Sequence, residues 1–370
     1  MLYIIELESL KERYTEWWSH YIPEEIRKIG VDFEIISGTS LSDTVETGTV
    51  LDAGSTNYFK ASQLQKISEL FYNKKIKPYD IFFVADIWFP GIEMIRYMSQ
   101  LYQIPVKIYG VWHAGSTTHG DFAEPMHNWS KNFEIGFLNI CDGIFVGSDY
   151  SKKAIIERLL YSVSEEEAES IFNRIHAYGM PIDYEYLQQF SSDKKENIIL
   201  FPHRPDIEKN PHIWINIIQG LSTFWEDFEK YEFVFCTSKA KYQSQSSWIN
   251  ALLGSVKTKI ENIEIYENLA KEKYYQLLGK SRLMISTTSE ENFGYCAVEA
   301  LALGTQILVP NAFSHPEIVE DKDSLLYDSY DELMKKVSKI STEKIESLVY
   351  KELVKPYSEV IRKWLEIMVK

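Results

Sequence analysis

The amino-acid sequence predicts an α/β protein with two doubly wound domains, each built on a mostly parallel sheet. Short runs of β-branched and aromatic residues alternate along the chain with longer amphipathic stretches, which is the pattern of βαβ units. A chain of 370 residues, 45% of them apolar, is long enough to bury two cores. The sequence has no short internal period and no low-complexity tract, so we do not expect a solenoid.

The first series of elements forms the N-terminal domain. Its five predicted strands are LYIIEL, DFEII, DIFFVAD, VKIYGVW and DGIFVGS, all before residue 150. Helices are expected over 9–29 and 61–73, because apolar side chains recur there at helical spacing. The segments 52–60 and 86–93 are expected to be loops.

The second series begins after the polar segment 191–197, which predicts a linker because it has no apolar residue to bury. Its predicted strands are 198–202, 232–237, 263–267, 282–287 and 305–310, and its predicted helices are 211–226, 270–280 and 294–303. The tail 342–370 is expected to be helical, with Pro356 ending one helix and beginning another. Two such halves form a cleft, and ligands bind where the carboxyl ends of the strands face it.

The charge balance bears on the class of partner. The chain holds 54 acidic and 39 basic residues, a formal net charge of −15, and the acidic surplus is spread over both halves. Neither half is a basic module, which disfavours a binding mode that neutralises many phosphates of a nucleic acid or an anionic membrane. A local basic groove stays open as an alternative.

The cysteines and the N-terminus indicate a cytoplasmic protein. Cys141, Cys236 and Cys296 are an odd number and lie far apart, which suits reduced thiols and offers no metal-type spacing. The first residues become charged quickly and lack a small-residue cleavage site, so no signal peptide is expected. No apolar run approaches the roughly 18 residues that span a bilayer.

The most informative stretch for chemistry is 286–319. A predicted strand ends near Thr287, a polar loop with Glu291 follows, and a helix begins at Gly294. The start of a helix presents backbone N–H groups that suit a phosphate. Glu299 then lies among apolar residues, where a carboxylate needs a protein donor or the hydroxyls of a ligand. The alternative places Glu299 on the solvent side of an amphipathic helix.

These residues resemble the E-x(7)-E signature of retaining GT-B glycosyltransferases, in particular glycosyltransferase family 4. The matching positions are Glu291, Phe293, Gly294, Glu299, Ala300, Ala302, Gly304 and Glu317. The resemblance implies that Glu299 binds the ribose hydroxyls of a nucleotide and that Glu291 contacts hydroxyls of the donor sugar. It also implies that loop backbone approaches the sugar and diphosphate at Asn292, Phe293, Gly294 and Tyr295.

A second group of candidate residues follows the first strand of the second domain. Arg204 and Lys209 place two cations at the carboxyl end of that strand, where they can clamp a diphosphate and stabilise it as it departs. The alternative is a solvated charged loop. Family 4 enzymes carry an Arg and a Lys about five residues apart here, and the resemblance assigns the pair to the donor phosphates. This chain departs from the family in having His203 where a Gly is usual and Asn210 after the Lys.

The first domain offers candidates for the reacting centre and the acceptor side. His113 follows a predicted strand, where it can bond a sugar hydroxyl or handle a proton, unless it is simply structural. The resemblance implies that His113 lies near the 6-hydroxyl of the donor sugar and the reacting centre. His119 and Asp121 are further candidates on the acceptor side. Asp86 can bond an acceptor sugar and Trp88 can stack on it, with core packing as the alternative for Trp88.

Two further segments agree with the resemblance, which covers 141–320 in motifs and 1–140 in architecture alone. The segment 141–155 resembles the family's last strand and helix of the first domain, and 177–187 resembles its crossover into the second. We therefore expect a GT-B fold of two Rossmann-like domains facing a cleft. The expected division is 1–185 for the acceptor-side domain, 186–345 for the nucleotide-sugar domain, and 346–370 for a helix that packs back on the first domain.

The implied activity is that of a hexosyltransferase. It moves a sugar from a UDP- or GDP-linked donor to an unidentified acceptor with retention of configuration. No cofactor and no metal are implied, because paired cations and a helix dipole supply the charge stabilisation. Three alternatives stay open: a nucleic-acid base as the acceptor, a nucleotide-sugar epimerase, and a nucleotide-sugar-binding protein without turnover.

Overall fold

Two units divide the chain between Pro181 and Ile182. A computed structural model describes residues 1–9, 14–41, 54–121, 123–205, 207–237, 251, 253–258, 260–340 and 346–369. One unit comprises Met1–Pro181 with Glu359–Lys370, and the other comprises Ile182–Ser358. The division therefore falls four residues before the expected boundary at 185, inside the crossover segment 177–187.

The first unit is a six-stranded parallel sheet in the order β2-β1-β3-β4-β5-β6. Its strands are β1 (Leu2–Ile5), β2 (Phe33–Ile36), β3 (Ile81–Val84), β4 (Lys107–Trp112), β5 (Gly143–Val146) and β6 (Ile175–Ala177). Its first six helices are α1 (Tyr14–Ile29), α2 (Ser55–Tyr72), α3 (Ile92–Leu101), α4 (His127–Ile140), α5 (Asp149–Arg158) and α6 (Glu165–Phe172). The five predicted strands are confirmed, and β6 is an addition.

The second unit is also a six-stranded parallel sheet, in the order β12-β11-β10-β7-β8-β9. Its strands are β7 (Glu196–Phe201), β8 (Glu232–Thr237), β9 (Ile263–Glu267), β10 (Ser281–Ile285), β11 (Gln306–Pro310) and β12 (Leu326–Tyr327). Its helices are α7 (Tyr184–Gln188), α8 (Pro211–Phe224), α9 (Lys271–Lys280), α10 (Tyr295–Ala302), α11 (His315–Ile318), α12 (Tyr330–Lys339) and α13 (Ser347–Val354). The chain order reverses between β7 and β10, which places a crevice at the carboxyl ends of these two strands.

The polar segment 191–197 is not a linker between the units, contrary to expectation. It lies inside the second unit and leads directly into β7. Lys195 explains why a segment without apolar residues is held there. Its Nζ donates to the carbonyls of Gly279 at 2.6 Å and Leu303 at 3.0 Å and to Oγ1 of Thr305 at 3.0 Å, so it satisfies backbone groups where helices end.

The C-terminal tail contributes to both units. Its first helix, α13, packs on α10 in the second unit, where Gly304 (φ +70°) lies against Ser347. The turn Lys355–Glu359 contains Pro356 and is followed by α14 (Val360–Val369), so the predicted break is present. Residues 342–345 lie outside the described residues. The tail thus returns to the first unit at Glu359, later than the expected 346.

Helix α14 packs in the core of the first unit. The ring of Trp364 lies 5.2 Å from Phe145 on β5 and 5.7 Å from Phe83 on β3, so the chain's last helix covers the middle of the sheet. All three cysteines are free thiols. In the described part of the chain, no helix combines the length and apolar character needed to cross a bilayer.

Candidate functional site

The crevice of the second unit brings together two predicted residues that are 82 positions apart. Lys209 ends the short turn after β7, and Glu291 lies in the loop after β10. Nζ of Lys209 lies 3.1 Å from Oε2 of Glu291 and 3.4 Å from Oγ1 of Thr288. Both charged side chains are mostly buried. The strand reversal therefore forms one buried cation–carboxylate site from two separate motifs.

The two charges stabilise each other against burial. Burial by itself disfavours the ammonium of Lys209, but Glu291 and then Glu208 outweigh it and raise the pKa of Lys209. Burial likewise disfavours the carboxylate of Glu291, yet Lys209 holds the pKa of that carboxyl at about 2. Lys209 is thus a cation and Glu291 an anion across the physiological pH range.

Two histidines that the sequence did not assign to the site lie around this ion pair. His203 lies two residues after the end of β7, with its ring 5.0 Å from the ring of Phe201, and His315 begins α11. Burial lowers the pKa of His203 to about 3 and that of His315 to about 4, so both rings are neutral. Among the described residues, Nε2 of His203 has no hydrogen-bond partner and is buried. It is a polar atom that a ligand can satisfy.

Arg204 lies in the same loop as Lys209 and is more exposed. Its Nη2 is 3.4 Å from Oε1 of Glu208, and 42% of its side chain is exposed. A guanidinium at a surface can approach an anion that binds there. The structure thus places both predicted cations at the carboxyl end of β7, with Lys209 inside and Arg204 nearer the solvent.

The loop before α10 turns sharply at Gly294. Gly294 has φ +79°, and a Cβ there would lie 3.2 Å from Cδ1 of Ile318, so glycine suits the position. Its N–H donates to Oε1 of Glu291 at 3.1 Å. Phe293 is buried, with its ring 5.0 Å from Tyr295 and 5.1 Å from Tyr357. Its side chain therefore anchors the loop, and Asn292 and Tyr295 are half-buried beside it.

Glu299 is buried, so the alternative of a solvent-facing carboxylate is wrong. Its Oε1 accepts a hydrogen bond from the hydroxyl of Tyr275 at 2.8 Å and lies 3.3 Å from Nζ of Lys271. Both partners are on α9, one turn apart, and the sequence did not predict them. In the sequence, the one indication that these two residues act together was their spacing of four residues, which places them on the same face of a helix.

In the first unit, His113 follows β4 and is held by backbone. Its Nε2 lies 2.8 Å from the carbonyl oxygen of Ala85, and its ring is 4.9 Å from Trp18. Burial lowers the pKa of His113, so the ring is neutral. Since a carbonyl can only accept, Nε2 carries the proton and Nδ1 is the acceptor nitrogen.

Asp86 belongs to a buried ion pair beside this histidine. Its Oδ2 lies 3.2 Å from Nζ of Lys60, and its Oδ1 accepts the N–H of Trp88 at 3.1 Å. Burial disfavours the carboxylate, but Lys60 and then His113 lower the pKa of Asp86. Lys60 is helical, because α2 begins at Ser55 within the expected loop 52–60, of which 52 and 53 lie outside the described residues. Trp88 packs against the hydrophobic core, which confirms the alternative of core packing for this residue.

His119 and Asp121 bond within their own loop. Nδ1 of His119 lies 2.8 Å from Oε1 of Glu124, and Oδ1 of Asp121 accepts the N–H of Ala123 at 2.9 Å. His119 is largely exposed. These contacts shape the turn that leads into α4, and the two residues remain acceptor-side predictions.

A buried carboxylate that the sequence did not single out fixes the loop after β4. Glu134 on α4 accepts the N–H of Ser116 at 2.7 Å and also the Ser116 hydroxyl. That hydroxyl oxygen lies 2.8 Å from Nδ1 of His127. A Cβ at Gly115 would lie 2.5 Å from Oε1 of Glu134, so the loop and the carboxylate are closely packed. A glutamate between Phe133 and Ile135 was its sequence signal.

Comparisons with known proteins relate this chain to glycosyltransferases. Residues 183–355 match the family of glycosyl transferases group 1. The tRNA-queuosine alpha-mannosyltransferase of Drosophila melanogaster is 26% identical over 193 residues, which are 51% of this chain and 47% of that protein. The match thus spans about half the length of that relative.

Solved structures show the fold of the whole chain. Sucrose-phosphate synthase from Thermosynechococcus elongatus aligns over 100% of this chain and 96% of its own, with a TM-score of 0.64 and 12% identity. The alpha,alpha-trehalose 6-phosphate synthase of Burkholderia multivorans gives a TM-score of 0.68 at 10% identity over 100% and 98% of the two chains. Anabaena HepE, solved with UDP, gives 0.64 at 12% identity over 100% and 99%. The chain therefore has the GT-B fold, and residues 183–355 of its second unit are similar to the glycosyl transferases of group 1.

Proposed function

We propose that the protein is a hexosyltransferase that moves a sugar from a nucleotide-sugar donor to an acceptor hydroxyl with retention of anomeric configuration. The observation that carries this proposal is the buried pair of Lys209 and Glu291 at the carboxyl ends of β7 and β10. A nucleoside diphosphate is the leaving group, so the reaction needs cations where negative charge develops. Lys209, Arg204 and the first N–H groups of α10 supply them.

The paired groups suit an exchange of partners when the donor binds. The diphosphate replaces Glu291 as the counter-ion of Lys209, and the carboxylate of Glu291 then accepts hydroxyls of the sugar. In the same way, ribose hydroxyls replace the hydroxyl of Tyr275 at Glu299. Each buried charge thus keeps a partner in the free and in the bound state, which avoids the cost of an unpaired buried charge.

Metal independence is part of the proposal. Lys209, Arg204 and the N-terminus of α10 provide the charge stabilisation that a divalent ion provides in other enzymes. We expect transfer in the presence of EDTA at the rate seen without it. A rate that depends on added Mg²⁺ or Mn²⁺ would contradict this part alone.

In this proposal the acceptor binds to the first unit, on the side of Asp86, and His113 lies near the 6-hydroxyl of the donor sugar and the reacting centre. A neutral histidine at the end of a strand can bond a sugar hydroxyl. A nucleoside within RNA is a second candidate acceptor, and the match to a tRNA-queuosine alpha-mannosyltransferase favours it. With a net charge of −15, such binding has to rest on a local basic surface.

The first experiment identifies the donor. Titration calorimetry with UDP, GDP and ADP, followed by mass spectrometry of hydrolysis from matched nucleotide sugars, is expected to show one preferred nucleotide and slow release of free sugar. Proton NMR of the product then reports its anomeric configuration. Nucleotide binding without hydrolysis or transfer would favour a binding protein, and an isomerised nucleotide sugar would favour an epimerase.

The second experiment tests the acceptor class. Bulk tRNA is incubated with the radiolabelled donor, digested to nucleosides and separated by chromatography. Label in a nucleoside supports RNA as the acceptor, whereas release of the label only as free sugar contradicts it.

A further inference from the structure

An exposed aromatic surface lies at the amino ends of the strands of the first sheet. Tyr72 ends α2, Tyr79 precedes β3, and Tyr102 follows α3. Their exposed fractions are 77%, 71% and 44%, which is unusual for rings of this size. They lie at the amino ends of β3 and β4, whereas His113 and Asp86 lie at the carboxyl ends.

The same surface holds a cluster of lysines. Lys74, Lys75 and Lys77 are exposed and Lys107 is half-buried. Across the described part of the chain, none of the four is within ion-pair distance of a carboxylate. Asp80 lies beneath them, but it is buried, and its oxygens bond the α-ammonium of Met1 at 3.0 Å and the N–H of Lys77 at 2.8 Å. The surface is therefore locally positive on a chain of net charge −15.

Backbone contacts fix the two loops side by side. The N–H of Tyr79 donates to the carbonyl of Pro105 at 2.6 Å, and the N–H of Lys107 donates to the carbonyl of Asp80 at 3.0 Å. The ring of Tyr102 lies 6.0 Å from Phe71. Since the loops are ordered in the free protein, a ligand bound here loses little affinity to their ordering.

We propose that residues 72–79 together with Tyr102 and Lys107, the tyrosine–lysine surface, dock RNA through its phosphates and unpaired bases. Lysines recognise phosphates by charge, and exposed rings stack on bases, which is the combination that single-stranded nucleic acid requires. A lone small anion would not need the rings. A bilayer would favour aliphatic or Trp side chains for insertion, whereas this surface is made mainly of tyrosines and lysines, with Leu101 and Met1 as exposed apolar neighbours.

This inference rests on RNA as the acceptor candidate proposed above. The six residues of β4 separate the surface from the loop of His113 by about 20 Å at about 3.3 Å per residue. The surface is thus too remote to hold the reacting nucleoside and instead holds another part of the same RNA. Removing it is expected to raise KM for RNA and leave kcat nearly unchanged.

The test compares two variants of equal charge change in the full chain. One carries K74A, K75A, K77A and K107A. The control carries Lys→Ala at four lysines that are exposed elsewhere: Lys153, Lys194, Lys273 and Lys335. Binding of fluorescein-labelled bulk tRNA is followed by anisotropy between 50 and 200 mM salt. We expect the surface variant to bind tRNA at least tenfold more weakly. The negative slope of log K against log salt should become shallower by about 3.

The rings are tested separately with Y72A/Y79A, and circular dichroism establishes that each variant is folded. We expect tRNA affinity to fall roughly fivefold or more for each ring. Equal loss in the control lysine variant, or no loss in either surface variant, would overturn the inference. Binding of the wild type to phosphatidylcholine vesicles with 30% phosphatidylglycerol, but not to tRNA, would overturn it in favour of a membrane surface.

Titration with UDP, GDP and ADP separates this inference from the proposed function. If the wild type binds a nucleotide and hydrolyses its donor while the surface variants bind tRNA like the wild type, the inference fails and the transferase stands. If no nucleotide binds, the transferase fails whatever the tRNA result.

Discussion

The strand ends of the two units use their buried charges differently. In the second unit, Lys209 pairs with Glu291, and Glu299 is bonded by side chains of α9. In the first unit, Lys60 bonds both the carboxylate of Asp86 and the carbonyl of Trp88, and His113 bonds the carbonyl of Ala85. A ligand can replace one side-chain partner by another, but it cannot replace a backbone contact without moving the loop. We therefore propose that the side-chain pairs of the second unit exchange partners with a ligand, whereas the backbone contacts of the first unit hold its loops in place.

The largest expected effect on nucleotide binding is that of replacing Lys209. Lys209→Met removes the cation for the diphosphate and leaves Glu291 buried without its partner, which costs about 3–5 kcal/mol of stability. We expect affinity for the preferred nucleoside diphosphate to fall by about a hundredfold and transfer to be lost, as measured by calorimetry and turnover. Adding Glu291→Gln should restore much of the thermal stability without restoring nucleotide binding. Unchanged affinity in the single variant would remove the diphosphate site from this crevice.

The exchange of partners at Glu299 predicts opposite outcomes for two conservative changes. Glu299→Gln replaces the charged carboxylate proposed to accept the ribose hydroxyls with a neutral amide that keeps only one acceptor oxygen, and we expect nucleotide affinity to fall by about tenfold or more. Tyr275→Phe removes only the competing hydroxyl, so affinity should stay constant or rise slightly. Both are measured by titration against the preferred nucleotide. A loss of similar size in Tyr275→Phe would mean that the tyrosine itself binds the ligand.

The neutral histidines of the second unit predict a loss of stability in acid. The pKa of His315 is about 4 in the folded protein and 6.5 without its environment, so the unfolded chain binds the extra proton between these values. Stability therefore falls as the pH drops from about 6.5 to 4, by up to about 1.4 kcal/mol per pH unit for this group. Urea unfolding at a series of pH values checks it. His315→Asn should reduce the slope, and an unchanged slope in this variant would contradict the prediction.

The smallest expected effect on nucleotide binding is in the first unit. Lys60→Met leaves Asp86 buried without its cation, and we expect about 3 kcal/mol of lost stability with unchanged affinity for the nucleotide. Lys60→Met with Asp86→Asn should recover part of that stability. Thermal unfolding and calorimetry measure the two quantities on the same samples. A marked loss of nucleotide affinity would show that Lys60 serves the donor, and the distinction between the units would fail.

Most of the two sheets could be predicted from the sequence, because their strands are short and rich in β-branched and aromatic residues. The exceptions have physical reasons. Strands β6 and β12 are three and two residues long, below the length at which a pattern is visible. Helix α2 begins at Ser55, although Gly54 and its polar neighbours are typical of a loop. Burial of Phe59 and Ile67 outweighs that local preference.

The site was predictable only as far as a motif follows the chain. Lys209, Glu291 and Glu299 stand at spacings that a sequence shows. The residues around them do not stand at such spacings. Tyr275 lies on α9 and His203 lies just after β7, and neither forms a contiguous pattern with Glu291. The same holds for Glu134, whose contact with Ser116 depends on how α4 lies beside the preceding loop.

The sequence by itself thus determined the two α/β series and the residue types needed for a nucleoside diphosphate, because periodicity and spacing are local properties of a chain. Tertiary structure decided which charges face each other and which lie unpaired at the surface. Pairing of Lys209 with Glu291 depends on the reversal of strand order between β7 and β10, which no local pattern encodes. The position of four lysines beside three tyrosines likewise depends on β3 and β4 being neighbours, although the chain as a whole is acidic.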